Sequence, residues 1–133
     1  EEAINKYNLE PMVKINSMSV VGTDPVLMLS GPIPATNKAL EHAKLKPEDM
    51  DLVEINEAFS SVVGAWRKEF PGISYENVNA NGGSIAIGHP LGATGARLMT
   101  NLIHEMKRNK LKYGLQAICE GGGTANATIV ELV

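Results

Sequence analysis

Asn79-Ala-Asn-Gly-Gly-Ser-Ile-Ala-Ile-Gly-His-Pro-Leu-Gly-Ala-Thr-Gly-Ala-Arg97 is the least regular stretch of this chain, and the segments on either side are regular enough to place it. Five of the 13 glycines fall in it, at Gly82, Gly83, Gly88, Gly92 and Gly95, around one histidine. Glycine permits close backbone approach and positive φ. Proline fixes its own φ and pushes the residue before it out of the helical region. His89, between Gly88 and Pro90, is therefore an imidazole on a constrained backbone rather than a side chain on a regular surface. That combination reads as a site.

Upstream of this loop, residues 52–55 form a short apolar strand, and Asn56-Glu57 sits where strand gives way to helix. Phe59, Val62, Val63, Trp66 and Phe70 then recur at helical spacing until Pro71-Gly72 ends the run. Downstream, Leu98, Met99, Leu102, Ile103 and Met106 make a second helical stripe over residues 93–109. Residues 115–119 read as a strand, Gly121-Gly122-Gly123 as a turn and 125–133 as a last strand. Tight glycine turns join strands antiparallel.

Farther toward the N-terminus, residues 1–9 look like the end of a helix closed by Pro11. A strand follows over 13–21, with Val13 and Ile15 in one phase and Met18 and Val20 in the other, which implies a phase shift at its middle. Residues 22–34 are expected to be a loop, 35–44 a helix with small residues on one face, and 46–49 a turn. Strands alternating with helices specify an α/β fold with a mixed, mostly parallel sheet and helices packed on its faces.

The composition is that of an ordinary globular domain, 44% hydrophobic and 20% charged over 133 residues. No apolar run approaches the roughly 20 residues of a membrane helix, so no membrane partner is expected. A net charge of −3 gives no long-range attraction for nucleic acid. The one basic cluster, Lys107, Arg108, Lys110 and Lys112, suits the cation-favouring C-terminus of a helix. A single cysteine excludes internal disulfides and fits a reducing compartment such as the cytoplasm. The chain starts at Glu1, in what reads as mid-helix, so it is expected to be one part of something longer.

Ligands bind beyond the carboxyl ends of strands in sheets of this kind. Asn56, His89 and Cys119 all lie near such junctions. Taken singly, each has a structural reading: a helix cap, a hydrogen-bonded scaffold histidine and a small buried hydrophobe. Several other readings of the glycine loop fail. A phosphate-binding P-loop needs Gly-Lys-Ser/Thr, and no lysine lies between Gly88 and Gly95. The spacing of Gly88, Gly92 and Gly95 does not match a dinucleotide fingerprint. No Cys-x-x-Cys or His-x-x-x-His is present, and His42 and His104 fall on polar helix faces, so no metal is expected. The nucleophile elbow of a serine hydrolase is missing. Acid–base chemistry from His89 and Cys119 remains, with Asn56 as a polar orienter.

Taken together, three motifs resemble the thiolases, the family of acetyl-CoA acetyltransferases and 3-ketoacyl-CoA thiolases. They are Asn56-Glu57-Ala58-Phe59, Asn81-Gly82-Gly83 through Gly88-His89-Pro90 to Arg97, and Cys119-Glu120-Gly121-Gly122-Gly123, with Gly31-Pro32-Ile33-Pro34-Ala35 agreeing upstream. The related ketoacyl synthases fit worse, lacking the Cys-x-Gly-Gly-Gly ending. The resemblance covers nearly the whole chain as the family's C-terminal half, and so implies a thiolase-like C-terminal domain over 1–133. It further implies that the N-terminal domain, with the nucleophilic cysteine, and the first strand of this domain are absent.

As the resemblance has it, His89 activates the nucleophilic cysteine and, with a water held by Asn56, donates a hydrogen bond to the thioester oxygen. Cys119 is the acid–base group, its thiol moved toward neutrality by its surroundings. Glu120 should point away from that thiol. The Gly121 N–H contributes to a second oxyanion hole, and Met28, Ala58 and Phe59 line the passage for pantetheine and acyl chain. Also implied are acyl transfer to coenzyme A in fatty acid and lipid metabolism, with Claisen condensation or thiolytic cleavage of 3-ketoacyl-CoA. Acyl-CoA is then the substrate, no cofactor is tightly bound, and the assembly is a homodimer or homotetramer. A eukaryotic source would make a mitochondrial or peroxisomal matrix the expected place. The alternative is a non-catalytic thiolase-fold subunit or a lipid-binding partner.

Overall fold

Residues 1–133 are described by a computed structural model. The elements run α1 (Glu2–Tyr7), β1 (Val13–Gly22), α2 (Pro32–Ala43), β2 (Leu52–Ile55), α3 (Ser60–Glu69), α4 (Gly83–Ile87), α5 (Thr94–Asn109), β3 (Tyr113–Cys119) and β4 (Thr124–Leu132). One four-stranded sheet has the order β1-β4-β3-β2. The β2–β3 pair is parallel, whereas β4 lies antiparallel between β1 and β3. Hence β1, β2 and β3 all run one way and only β4 opposes them. The mixed α/β sheet read from the sequence is present, but it is not mostly parallel: β4 inserts between β1 and β3 and makes two of the three strand pairs antiparallel. The phase shift in β1 is also present, as a register irregularity between Ile15 and Ser17.

Two layers of helix sandwich this sheet. On one face α2 and α3 cover a core that includes Ala35, Ala39, Trp66, Val53, Ile55, Leu115 and Ile129, all fully buried. Small residues let α2 come close enough for Ser17 Oγ and Ser19 Oγ to donate to the carbonyls of Ala39 and Ala35, at 2.8 and 2.7 Å. Trp66 Nε1 donates to Thr36 Oγ1 at 2.9 Å, so the largest core side chain leaves no polar atom unpaired. On the other face, Leu102 and Met106 of α5 pack on Leu52 and Val130. Gly114 sits beneath them because a Cβ there would overlap the Met106 sulfur. The cations Lys107 and Arg108 occupy the last turn of α5, where the helix dipole favours them.

Three expectations are corrected. Helix α2 starts at Pro32, not at residue 35, because proline lacks only the N–H that the first helical turn leaves unbonded. Phe59 belongs to the entry of α3 as its N-cap and is exposed, while Val62 and Trp66 carry the buried face. The glycine stretch contains a helical turn, α4, entered through Gly82 and Gly83 at φ 101° and 52° and left through Gly88 at φ 87°. No helix is long and apolar enough to cross a membrane.

Candidate active site

Because β1, β2 and β3 share a direction, their C-terminal ends lie on one side of the sheet. There β2 runs directly into Asn56, β3 ends on Cys119, and the segment following β1 brings Met28. A cavity of about 420 Å³ opens at this place, lined among others by Met28, Asn56, Ala58, His89, Cys119 and Gly121. Six of the seven residues singled out from the sequence thus share one cavity. Phe59 is the exception: it does not line this cavity, and its side chain is 63% exposed.

The loop carrying His89 is fastened to the sheet by two polar side chains. Asn79, at φ 52°, takes the place of a strand residue beside β2: its Oδ1 accepts from the Ile55 N–H at 2.8 Å and its Nδ2 donates to the Ile55 carbonyl at 3.0 Å. Its backbone N–H donates to the Val53 carbonyl at 2.8 Å. The Glu57 carboxylate accepts from Asn79 Nδ2 at 2.9 Å and from the Ile85 N–H at 2.8 Å. Gly83 is required for this approach, since a Cβ there would lie 2.5 Å from the Glu57 carboxyl carbon. At the other end of α4, Arg97 Nη1 donates to the carbonyls of Ile87 and Gly88, pinning the turn just before His89.

Thr94 holds the His89 ring through its Nδ1. Its Nδ1 lies 2.6 Å from Thr94 Oγ1, and the Thr94 hydroxyl donates to the Pro90 carbonyl at 2.9 Å. A hydroxyl has one proton. Given to the Pro90 carbonyl, that proton leaves Thr94 to accept from Nδ1–H, the arrangement in which Nε2 keeps its lone pair. Thr94 is buried and His89 exposed, so a fixed hydroxyl orients an accessible base.

The same cavity is lined by Cys119, 8% exposed. Asn56, fully buried, points Nδ2 at the Cys119 sulfur at 3.8 Å and receives the Ser84 hydroxyl on Oδ1 at 2.7 Å. The thiol was expected to move toward neutrality; burial instead pushes its pKa up, against the lowering effects of the Asn56 amide and the Ala58 N–H. Cys119 thus rests as a protonated thiol, a proton donor. Glu120 turns away, accepting from Thr124 Oγ1 and Asn126 Nδ2, yet its charge still adds to the upward push. Gly121 stands at the cavity edge with open space where a Cβ would be. No three His, Cys, Asp or Glu side chains converge as a metal site would require. Sequence reading missed Ser84, Thr94, Asn79 and Glu57 as supporting residues. Glu57, Ser84 and Thr94 lie inside recognised motifs and Asn79 opens the glycine-rich stretch, but nothing in their spacing marks which atoms they bind.

Comparison with known proteins follows the same outline. Residues 9–132 match the family model described as "Thiolase, C-terminal domain". The steroid 3-ketoacyl-CoA thiolase FadA6 of Mycobacterium tuberculosis is 53% identical over 131 residues, which is 98% of this chain and 32% of that protein. An acetyl-CoA acetyltransferase of Cupriavidus necator is 47% identical over 126 residues, 95% of this chain and 32% of the other. Human mitochondrial 3-ketoacyl-CoA thiolase, also solved in complex with CoA, superposes with a TM-score of 0.96 at 41% identity, over 100% of this chain and 34% of that one. The chain therefore spans about a third of the length of the relatives it matches.

Proposed function

This chain belongs to the thiolase family, and on that footing we propose that it supplies the acid–base half of an acyl-CoA active site whose nucleophilic cysteine lies in an N-terminal domain outside these 133 residues. The observation that carries the reading is the convergence of His89, held at Nδ1 by Thr94, and of buried Cys119 with the Asn56 amide, on one cavity.

In the cleavage direction, His89 Nε2 takes the proton of the nucleophilic thiol, whose sulfur attacks the 3-keto carbon of the substrate. The bond between the α- and β-carbons breaks, the acyl group stays on that cysteine as a thioester, and the electron pair passes to the α-carbon of the departing acetyl-CoA. Cys119 Sγ gives that carbon its proton and is left as a thiolate, which the Asn56 Nδ2 donor is placed to stabilise. Coenzyme A returns a proton to Cys119 as its sulfur takes the acyl group from the nucleophile, and His89 is reset as that thiol reforms. In the Claisen direction, the Cys119 thiolate removes the α-proton instead. His89 and a water on Asn56 polarise the thioester oxygen, and the Gly121 N–H serves the oxyanion of the acyl-enzyme. Met28 and Ala58 flank the pantetheine and acyl path. Phe59, outside the cavity, could reach that path only from its rim.

The test uses the complete enzyme, in which this chain is joined to the domain supplying the nucleophile. His89→Ala should abolish acetoacetyl-CoA cleavage; near-normal turnover would reject the assignment. The 133-residue chain alone should show no cleavage, because Cys119 is its only cysteine and is committed to the acid–base role. A binding-only subunit would instead keep its acyl-CoA affinity and have no turnover for His89→Ala to remove. We extend the reading to a homodimer or homotetramer in the cytoplasm or an organelle matrix, with coenzyme A thioesters as substrates and no tightly bound cofactor.

A further inference from the structure

Ser84 has no part in the reading above, yet its hydroxyl is buried and has one partner, the Oδ1 of Asn56 at 2.7 Å. The two ends of an asparagine amide have nearly the same shape, so its orientation is decided by what each end meets. On one side of Asn56 lies a sulfur that must at some stage carry negative charge, on the other a hydroxyl. With Oδ1 on the hydroxyl, Nδ2 faces the sulfur at 3.8 Å and donates to it. With the amide reversed, Oδ1 would face a thiolate and repel it. Donation into Oδ1 also polarises the amide, so that the Nδ2–H on the far side becomes a stronger donor.

Ser84 is itself held in place. It follows Gly83, whose missing Cβ admits the Glu57 carboxylate, and precedes Ile85, whose N–H that carboxylate accepts. Glu57 is in turn bonded to Asn79, which is laced to β2 beside Asn56. A hydrogen-bonded line thus runs from the edge of the sheet through α4 to the sulfur of Cys119.

We propose that Ser84 is a positioning residue that fixes the Asn56 amide with Nδ2 toward Cys119, and so governs how readily that sulfur gives up and regains its proton. The proposal rests on the acid–base reading of Cys119, and Ser84 touches neither substrate nor sulfur. The titratable groups on the cavity wall are His89, Cys119 and Glu120. Glu57, behind the wall, is committed to Asn79 and Ile85, and Asp24, on the segment after β1, to the N–H groups of Val26 and Leu27. None of them bonds Ser84, so a change at this hydroxyl acts on the sulfur through Asn56 alone.

The experiment is peptide-resolved alkylation of Cys119 by iodoacetamide across pH, in the complete enzyme. Ser84→Ala keeps the Cβ and removes only the hydroxyl. It should move the midpoint of Cys119 alkylation upward by roughly half a unit to one unit, the worth of one hydrogen bond. Asn56→Ala should move it at least as far, and adding Ser84→Ala to Asn56→Ala should move it no further. An unchanged midpoint in Ser84→Ala would overturn the proposal, as would an undiminished Ser84 effect in the Asn56→Ala background. These readouts do not depend on turnover. Failure here with His89→Ala still inactive would remove Ser84 and leave the acyl-transfer reading standing, whereas a fully active His89→Ala enzyme would remove that reading itself.

Discussion

Glu54 offers a sharp test of the physical account, because its side chain has nowhere good to go. It lies on β2, 1% exposed, and its Oε2 has no hydrogen-bond partner. Burial first, then the nearby charges of Glu57 and Glu105, push its carboxyl from 4.5 up to about 7. The folded chain therefore holds this proton more tightly than the unfolded chain does. That stabilisation is complete below about pH 4.5 and is lost as pH rises through about 7. A shift of this size corresponds to about 3 kcal/mol across the whole window, of which most falls between pH 5 and 8.5. Glu54→Gln cannot ionise and so removes this part of the pH dependence. Its amide also brings new donors that need partners, at a cost of about 1–3 kcal/mol. That cost shifts the level of the curve without changing its slope. Urea unfolding of the chain, followed by fluorescence of the single buried Trp66, should show wild type losing about 2–3 kcal/mol relative to Glu54→Gln between pH 5 and 8.5. Parallel pH curves for the two proteins would refute the reasoning.

Thr94→Val keeps the shape of the side chain and removes the hydroxyl that directs the His89 proton to Nδ1. In the complete enzyme kcat/KM should fall about tenfold with KM little changed, and a selective rise in KM would count against the tautomer argument. Gly83→Ala places a Cβ 2.5 Å from the Glu57 carboxyl at a φ of 52°, and should cost about 1–3 kcal/mol in thermal unfolding. An unchanged melting temperature would mean that the Glu57 clamp is not tight. Gly114→Ala meets the flexible end of Met106 as well as Leu102, and should cost about 1–2 kcal/mol by the same measurement. If it proves neutral, α5 can lift from the sheet without loss.

Where the sequence was informative, local rules sufficed. The helical stripe of Leu98, Leu102 and Met106 is buried as its spacing requires, and the phase change between Ile15 and Met18 marks a real irregularity in β1. His89, Asn56 and Cys119 stood out because each interrupts a regular pattern at a strand end or a glycine turn. Ser84 and Thr94 did not, because a hydroxyl has the same sequence signature whether it faces water or an asparagine carbonyl. Their roles depend on contacts across 28 and 5 residues respectively, and the first of these exists only once α4 has docked on β2. The thiol of Cys119 was misjudged in direction for a related reason. Depth of burial is a property of the whole sandwich and does not follow from the Cys-Glu-Gly-Gly-Gly run.

The lacing of Asn79 onto β2 also bears on self-association. A sheet edge with free peptide groups is a template for strand addition by another chain. At β2 that template is already consumed, since the Asn79 side chain and backbone occupy the Val53 carbonyl and both peptide groups of Ile55. The opposite edge, β1, is guarded differently: Lys38 Nζ donates to the Val20 carbonyl at 3.2 Å, and His42 Nδ1 lies 3.3 Å from the Met18 carbonyl. Those two guards are side-chain tips on α2, beside a strip where Ile15, Met18 and Val20 are at least 60% exposed. The two borders are thus unequal, one sewn shut and the other merely fended off. Strand addition by another chain therefore meets the weaker guard at β1, and truncating Lys38 and His42 is the change that removes it.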